Sequence, residues 1–494
     1  MIQLRFRQSA TTNILPMKIK SIIVFILFTL TLQATNIEQI KKFIKLGELK
    51  KAITLSDSLL LKENSNLKNN WKIDSLKQIA QRIYIDFSIS EKDIDTLIEK
   101  QIGVFNQSQK ANWESSKWLE FMIIDGKKMY FKRAASNLKL RLKQQLVSFN
   151  AKPPTPDSFD LFKLNYASKI IQQTKKSGEL TSPQDFELEY TVTLKPNAVP
   201  AGEIVYCWLP WPKENHSRQV NLKLIDSHPK NYSIAPNNKT GQRSIHTTQK
   251  AIQDKPTIFS IKFNYTTYAQ YFNPDSIICK PYNKNSELYK KYTREQLPNI
   301  VFSKPITQIA DSIAKGISNP LEIVQEIYQF IASNYIWSGA LEYSIIPCIP
   351  EYVIEHKKGD CGMQTFLFMS IARYKGIPVR WQSGWMLHPE KENLHDWCEV
   401  YYEGTGWVPV DMSFQYNKSS DKKIASYYVT GIDAYRMIVN DEISDRLIPA
   451  KKFLRSEPYD FQRGELEWRG GNLYFDQWNY DMKIVYKSDN EKQK

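Results

Sequence analysis

Histidine is scarce in this chain, six in 494 residues. No histidine stands at metal-ligand spacing from another or from a cysteine, so a protein-held zinc ion is not indicated. Cysteine is scarcer still, at five, and the odd count leaves at least one thiol unpaired in any redox compartment. No block of five basic residues occurs, although the net charge is +15. The lysines are spread along the chain, which argues against nucleic acid as a partner. A solvated basic surface accounts for the charge most simply, and an anionic envelope polymer is the sharper alternative. An acidic loop able to hold calcium is also missing, and nothing in the pattern implies a redox or nucleotide cofactor.

The apolar run Ser21–Leu32 is shorter than the roughly 20 residues a membrane span needs. With Lys18 and Lys20 before it and Ala34 after it, the pattern predicts a signal peptide over residues 17–34. Leu32 fits a cleavage site poorly, which leaves the cut point open. Met17 is a candidate true start, and no cysteine follows closely enough for a lipoprotein. The expected location is therefore outside the cytoplasm, in the periplasm, at the cell surface or secreted, with membrane contact only through an uncleaved signal.

What the chain does contain is enough apolar material for packed domains: 42% hydrophobic and 13% aromatic residues. At about 150 residues per domain, the length suggests roughly three. Residues 35–180 carry helical periodicity, with Ile37, Ile40, Phe43, Ile44, Leu46, Leu49 and Ala52 on one face. Residues 44–53 resemble half of a tetratricopeptide unit, yet no second copy follows at a fixed period, so a generic helical region is expected. The proline-rich stretch 151–157 marks a linker or sharp turn inside it. From 181 to 297 the period changes to two, cleanly in Phe186–Leu194 and Thr257–Tyr265, which predicts a β-sandwich. Mixed helices and strands fill 298–439. A strand-rich extension, 440–494, has no role legible from pattern.

The most informative segment is Lys358–Phe366. Gly359 and Asp360 read as a turn and N-cap. Gly362–Lys375 reads as a buried helix with Met363, Phe366, Leu367, Met369 and Ile371 inside, stopped by Gly376 and Pro378. Cys361 then lies in a first helical turn, where the positive end of the macrodipole favours thiolate. Downstream, His395 opens a strand in which Trp397 and Glu399 share its face, while Cys398 points away. A second strand ends at Asp411. A hairpin through residues 403–406 would set Asp411 against His395, giving a nucleophile, a base and a group that orients the base. Glu399 and Trp397 read as packing. His356 is placed in a surface loop, and His388 in a loop where it could touch substrate.

Residues 321–415 resemble the transglutaminase-like core, a branch of the papain-like thiol enzymes. The resemblance rests on four blocks in order: Gly359-Asp-Cys-Gly362, Arg373–Gly384, His395–Tyr401 and Gly406–Asp411. More loosely, the chain resembles exported Bacteroidetes proteins with a β-sandwich before such a core. The resemblance implies an α+β domain whose antiparallel sheet packs against the thiol helix. It also implies Cys361 as nucleophile, His395 as base, Asp411 as its partner and Trp337 as a candidate oxyanion donor. The implied chemistry is acyl transfer through a thioester on a peptide or protein substrate, such as a cell-envelope component. Water as acceptor gives hydrolysis, which is preferred, and a lysine amine gives cross-linking. A binding scaffold without turnover is the non-enzymatic alternative.

Overall fold

The structure, a computed structural model, describes residues 36–62, 67–149, 156–214 and 216–487. The expected signal segment, 17–34, and most of the proline-rich stretch lie outside the described residues. Among those described, no helix is long and apolar enough to cross a membrane.

The chain divides into two compact units. The first runs to Tyr84 and takes in 122–128. It is helical, and Ile40, Leu49, Ala52, Ile73 and Ala80 lose nearly all their solvent exposure there. Gly47 turns the chain at φ +72°, and a Cβ at that position would lie 1.9 Å from the Ile123 carbonyl oxygen. Only glycine fits that approach.

The second unit holds residues 85–121 and 129–494. Its helices before residue 174 are held to the later segments by polar contacts. Asn137 exchanges two hydrogen bonds with the backbone of Gly339, both at 2.9 Å. The Lys358 ammonium meets Glu120 at 2.8 Å, with both side chains buried.

The sandwich forms as the period-two pattern requires. In Leu180–Leu194 every second residue from Gln184 onward is buried, and Phe186, Leu188, Tyr190, Val192 and Leu194 face inward. One sheet runs Gly431–Ile432, Thr257–Tyr271, Leu180–Leu194, Trp478–Tyr486, with Gln219–His228 also paired to Thr257–Tyr271. The other runs Gly471–Leu473, Glu465–Trp468, Ile204–Pro210, Ser244–Lys250, Tyr232–Ile234. Every pairing is antiparallel. The segment read as a separate extension thus supplies three sandwich strands. A sequence boundary at 440 divides strands that are hydrogen-bonded neighbours, because sheet pairing joins residues almost 300 positions apart and leaves no local trace.

A further antiparallel sheet lies between the two sets of sandwich strands in sequence: Gly406–Val410, Asn393–Tyr402, Val379–Met386, Arg436–Asn440. Phe366 of the helix Cys361–Tyr374 stacks on Trp381 of this sheet at 4.3 Å. Trp385, Met437 and Val439 of this sheet share one apolar cluster with the sandwich strands. Mixed helices and several antiparallel sheets make the chain a multidomain α+β protein.

Candidate active site

The thiol helix starts where its sequence signals place it. The Asp360 side chain accepts from the Met363 N–H at 3.0 Å and caps the first turn. Twelve successive residues, Gly362 to Arg373, are buried. Such all-round burial fits the apolar composition. Gly362 permits a close approach: a Cβ there would lie 2.3 Å from the Tyr343 hydroxyl and 2.5 Å from Asp396 Oδ2.

Cys361 is the first residue of this helix, and its thiol donates to Asp396 Oδ2 at 3.5 Å. Asp396 Oδ1 in turn accepts from Gln462 Nε2 at 2.7 Å, and the same amide donates to the His395 carbonyl at 2.8 Å. The expectation of a resting thiolate is overturned. Burial pushes the Cys361 thiol well above its ordinary value, and the carboxyl groups of Asp396 and Asp360 push it further the same way. A helix terminus supplies about half a charge, less than two carboxyls at close range. Asp360 is itself raised by burial to about 6.

His395 and Asp411 meet. The imidazole Nε2 and Asp411 Oδ2 are 2.7 Å apart, and both side chains are buried. The same oxygen accepts from Arg436 Nη2 at 2.8 Å. Arg436 also reaches Asp433 at 3.2 Å, and Asp433 faces His388 at 3.1 Å. Burial lowers the His395 pKa, Asp411 opposes that, and Arg436 lowers it again, so the neutral ring is favoured. Burial alone would raise Asp411; His395 and Arg436 together outweigh it and hold the carboxyl below its usual range.

Strand alternation explains which groups the structure unites. His395, Trp397 and Glu399 take one face, Asp396 and Cys398 the other. The thiol helix packs on the second, through Trp381, which pairs with Cys398. Asp396 is therefore aimed at the thiol and His395 at Asp411. No hydrogen bond joins the Cys361 thiol to the His395 imidazole among the described residues. Asp411, the partner of His395, adds a smaller push upward to the thiol pKa.

Cys361 opens into a cleft of about 310 Å³ whose lining includes Trp337, Tyr343, Asp360, Asp396, Asp460 and Arg463. Trp337 is 40% exposed and pairs in register with Gly359, two residues before the thiol. Two expectations are corrected. His356 ends the helix Ile349–His356, where it stacks on Tyr352 at 3.9 Å, rather than sitting in a loop. His388 is wholly buried beside Asp433, out of a substrate's reach, because aromatic rings from 159, 162, 414 and 435 enclose it. Glu399, read as packing, is an ion-pair partner of Arg380 and accepts from Gln382 at 2.8 Å. Sequence reasoning missed Arg436, Asp396 and Gln462. Arg436 alone left a signal: a charge opening the apolar run Met437–Val439.

Residues 307–412 match the model of the transglutaminase-like superfamily, so the chain carries a transglutaminase-like core over that span. Over 158 residues it is 25% identical to the uncharacterized protein YebA of Bacillus subtilis (strain 168), a match covering 26% of this chain and 21% of that protein. The chain thus spans about a fifth of the curated relative it matches. Among solved structures, a candidate cysteine protease from Cytophaga hutchinsonii is 13% identical with a TM-score of 0.43, covering 63% of this chain and 92% of that one. The periplasmic domain of TgpA from Pseudomonas aeruginosa is 12% identical with a TM-score of 0.26, covering 49% and 91%.

Proposed function

We propose that this protein is a thiol enzyme that cleaves amide bonds of peptides or proteins through a thioester on Cys361, with water as the acceptor. One observation carries the reading. Cys361 begins a buried helix, opens into a cleft, and lies against Asp396, the residue next to an imidazole already paired with a buried carboxylate.

In the proposed cycle the thiol leaves Asp396, and His395 takes its proton on Nδ1, the nitrogen Asp411 does not occupy. The sulfur attacks the carbonyl carbon, and the oxyanion takes the Cys361 backbone N–H, with the Trp337 indole as second donor. His395 passes the proton to the departing amine as the C–N bond breaks. Water then gives His395 a proton and attacks the thioester, which releases the acid and restores the thiol. Hydrolysis is favoured over cross-linking because the cleft is open to solvent. The cycle needs no cofactor. The export pattern at 17–34 points to substrates in the cell envelope or outside it.

A second reading is favoured by the carboxyl contact at the thiol: the domain binds peptides without turnover. Profiling a peptide library with wild type and Cys361→Ala, with a fluorescent primary amine present, separates these. New peptide termini made only by wild type support hydrolysis, and amine incorporation would replace it with cross-linking. Neither product from wild type leaves the binding reading.

A further inference from the structure

We infer that the cleft wall facing Cys361 is a subsite for a cationic nitrogen of the substrate, with Asp460 as its specificity-determining residue. The inference rests on the Cys361 cleft being the substrate site and adds the charge of what enters it.

Asp460 is 9% exposed and lines the cleft, yet among the described residues its carboxylate receives no ion pair and no hydrogen bond from another residue. Its oxygens are not among the fully buried, unpartnered side-chain atoms, so the carboxyl is open to the cleft, where a substrate group can meet it. The basic residues nearby are committed elsewhere. Arg463 is held by Glu457 at 2.7 Å and Glu342 at 2.8 Å. Lys132 is held by Asp86 at 2.7 Å. Arg133 lines the cleft but is exposed, where solvent screens it. Asp360, Asp396 and Asp460 therefore line one opening, and none of the three is in an ion pair among the described residues. Burial and neighbouring carboxyls push Asp396 and Asp460 well above the usual carboxyl range, with Arg463 drawing Asp460 the other way, and a cation bound beside them would draw both back toward ionisation.

The occupant is an organic cation rather than a metal ion. No group of three or more His, Cys, Asp or Glu side chains among the described residues is arranged to hold a metal. An ammonium or guanidinium can instead meet carboxylates spread along a wall, one hydrogen bond at a time. Asp396 touches the thiol directly and Asp460 lines the same cleft, so the cation is bound in the cleft that the scissile carbonyl enters. A lysine or arginine side chain and a free α-ammonium share this chemistry.

Small thiol reagents test this without a known substrate. Whole protein is treated with 2-aminoethyl, 2-sulfonatoethyl and methyl methanethiosulfonate, and labelling at Cys361 is read by peptide mass. The ratio of cationic to anionic rates is compared with that of glutathione amide, an unstructured thiol. The wild-type ratio should exceed the reference about 10-fold, against the pull of a protein with net charge +15. Asp460→Asn and Asp460→Ser should each lower it several-fold while the neutral reagent still reacts. Butylammonium and alaninamide, tested for protection against the neutral reagent, separate a side-chain cation from an α-ammonium, and protection by neither counts against the subsite. A wild-type ratio at the reference value, or one unchanged in both variants, overturns the inference and leaves the thiol reading intact. A Cys361 inert to all three reagents overturns the thiol reading and the subsite with it.

Discussion

Arg436 and Asp411 form an ion pair at 2.8 Å in which both side chains are wholly buried. The carboxylate oxygen that Arg436 holds is the one facing His395. Replacing Arg436 by Met strands that carboxylate and should destabilise the fold by about 3–5 kcal/mol, read by denaturant unfolding. Arg436→Lys keeps the charge and should lose less. Because Arg436 depresses the His395 pKa, its removal raises it. The acid limb of activity, or the imidazole titration by NMR, should move to higher pH in Arg436→Met and stay near wild type in Arg436→Lys.

Asp396→Asn keeps the shape of the thiol's neighbour and deletes its charge. The carboxyl raises the Cys361 pKa, so the variant should ionise its thiol at lower pH. Alkylation by a neutral reagent, followed against pH, should show the reactive limb shifted downward. A shift upward would contradict the electrostatic account of the resting thiol.

Gly362→Ala places a methyl against the Tyr343 hydroxyl and Asp396. Overpacking of this kind costs about 1–3 kcal/mol. The thermal midpoint should fall, and Cys361 labelling should change with it because the displaced carboxyl is the thiol's partner.

His216 gives a stability prediction with a definite sign. Burial lowers its pKa from 6.5 to about 4, so the unfolded chain binds the proton more readily between those values. Stability attributable to this residue is complete above pH 6.5 and falls as pH drops toward 4, by up to about 3 kcal/mol. In His216→Gln that share of the slope should vanish. Urea midpoints of the two proteins should converge or cross on acidification.

Removing the chain from Glu465 onward deletes strands paired to Ile204–Pro210 and Leu180–Leu194. The truncated protein should lose its cooperative thermal transition and expose Tyr190, Leu188 and Cys207 to solvent. A retained wild-type transition would show the sandwich to be self-sufficient without them.

These particulars show what a sequence carries. Helix starts, strand period and the His395–Asp411 pairing depend on residues near in sequence, and period-two spacing set both faces of the strand in advance. That spacing does not say which face the thiol helix covers. That choice rests on Phe366 meeting Trp381, a contact between separate elements. It decides that Asp396, not His395, faces Cys361. Asp460, Gln462 and Arg436 reach the site from later strands and loops, and no periodicity announces an arrival from that distance. The pKa of Cys361 is illegible for the same reason: the helix terminus is local, whereas the opposing carboxyls and the burial are not.

The sheet that carries His395 is encoded between two sets of sandwich strands, and Glu465–Trp468, Gly471–Leu473 and Trp478–Tyr486 complete the sandwich. As the chain leaves the ribosome, the site's own residues emerge while Leu180–Leu194 still lacks its neighbour Trp478–Tyr486. Pairing across so long a separation is slow to form. Maturation of the cleft, with Tyr480 on its wall, must therefore wait until Trp478–Tyr486 has been made, and a polypeptide cut short before that strand cannot carry a finished site.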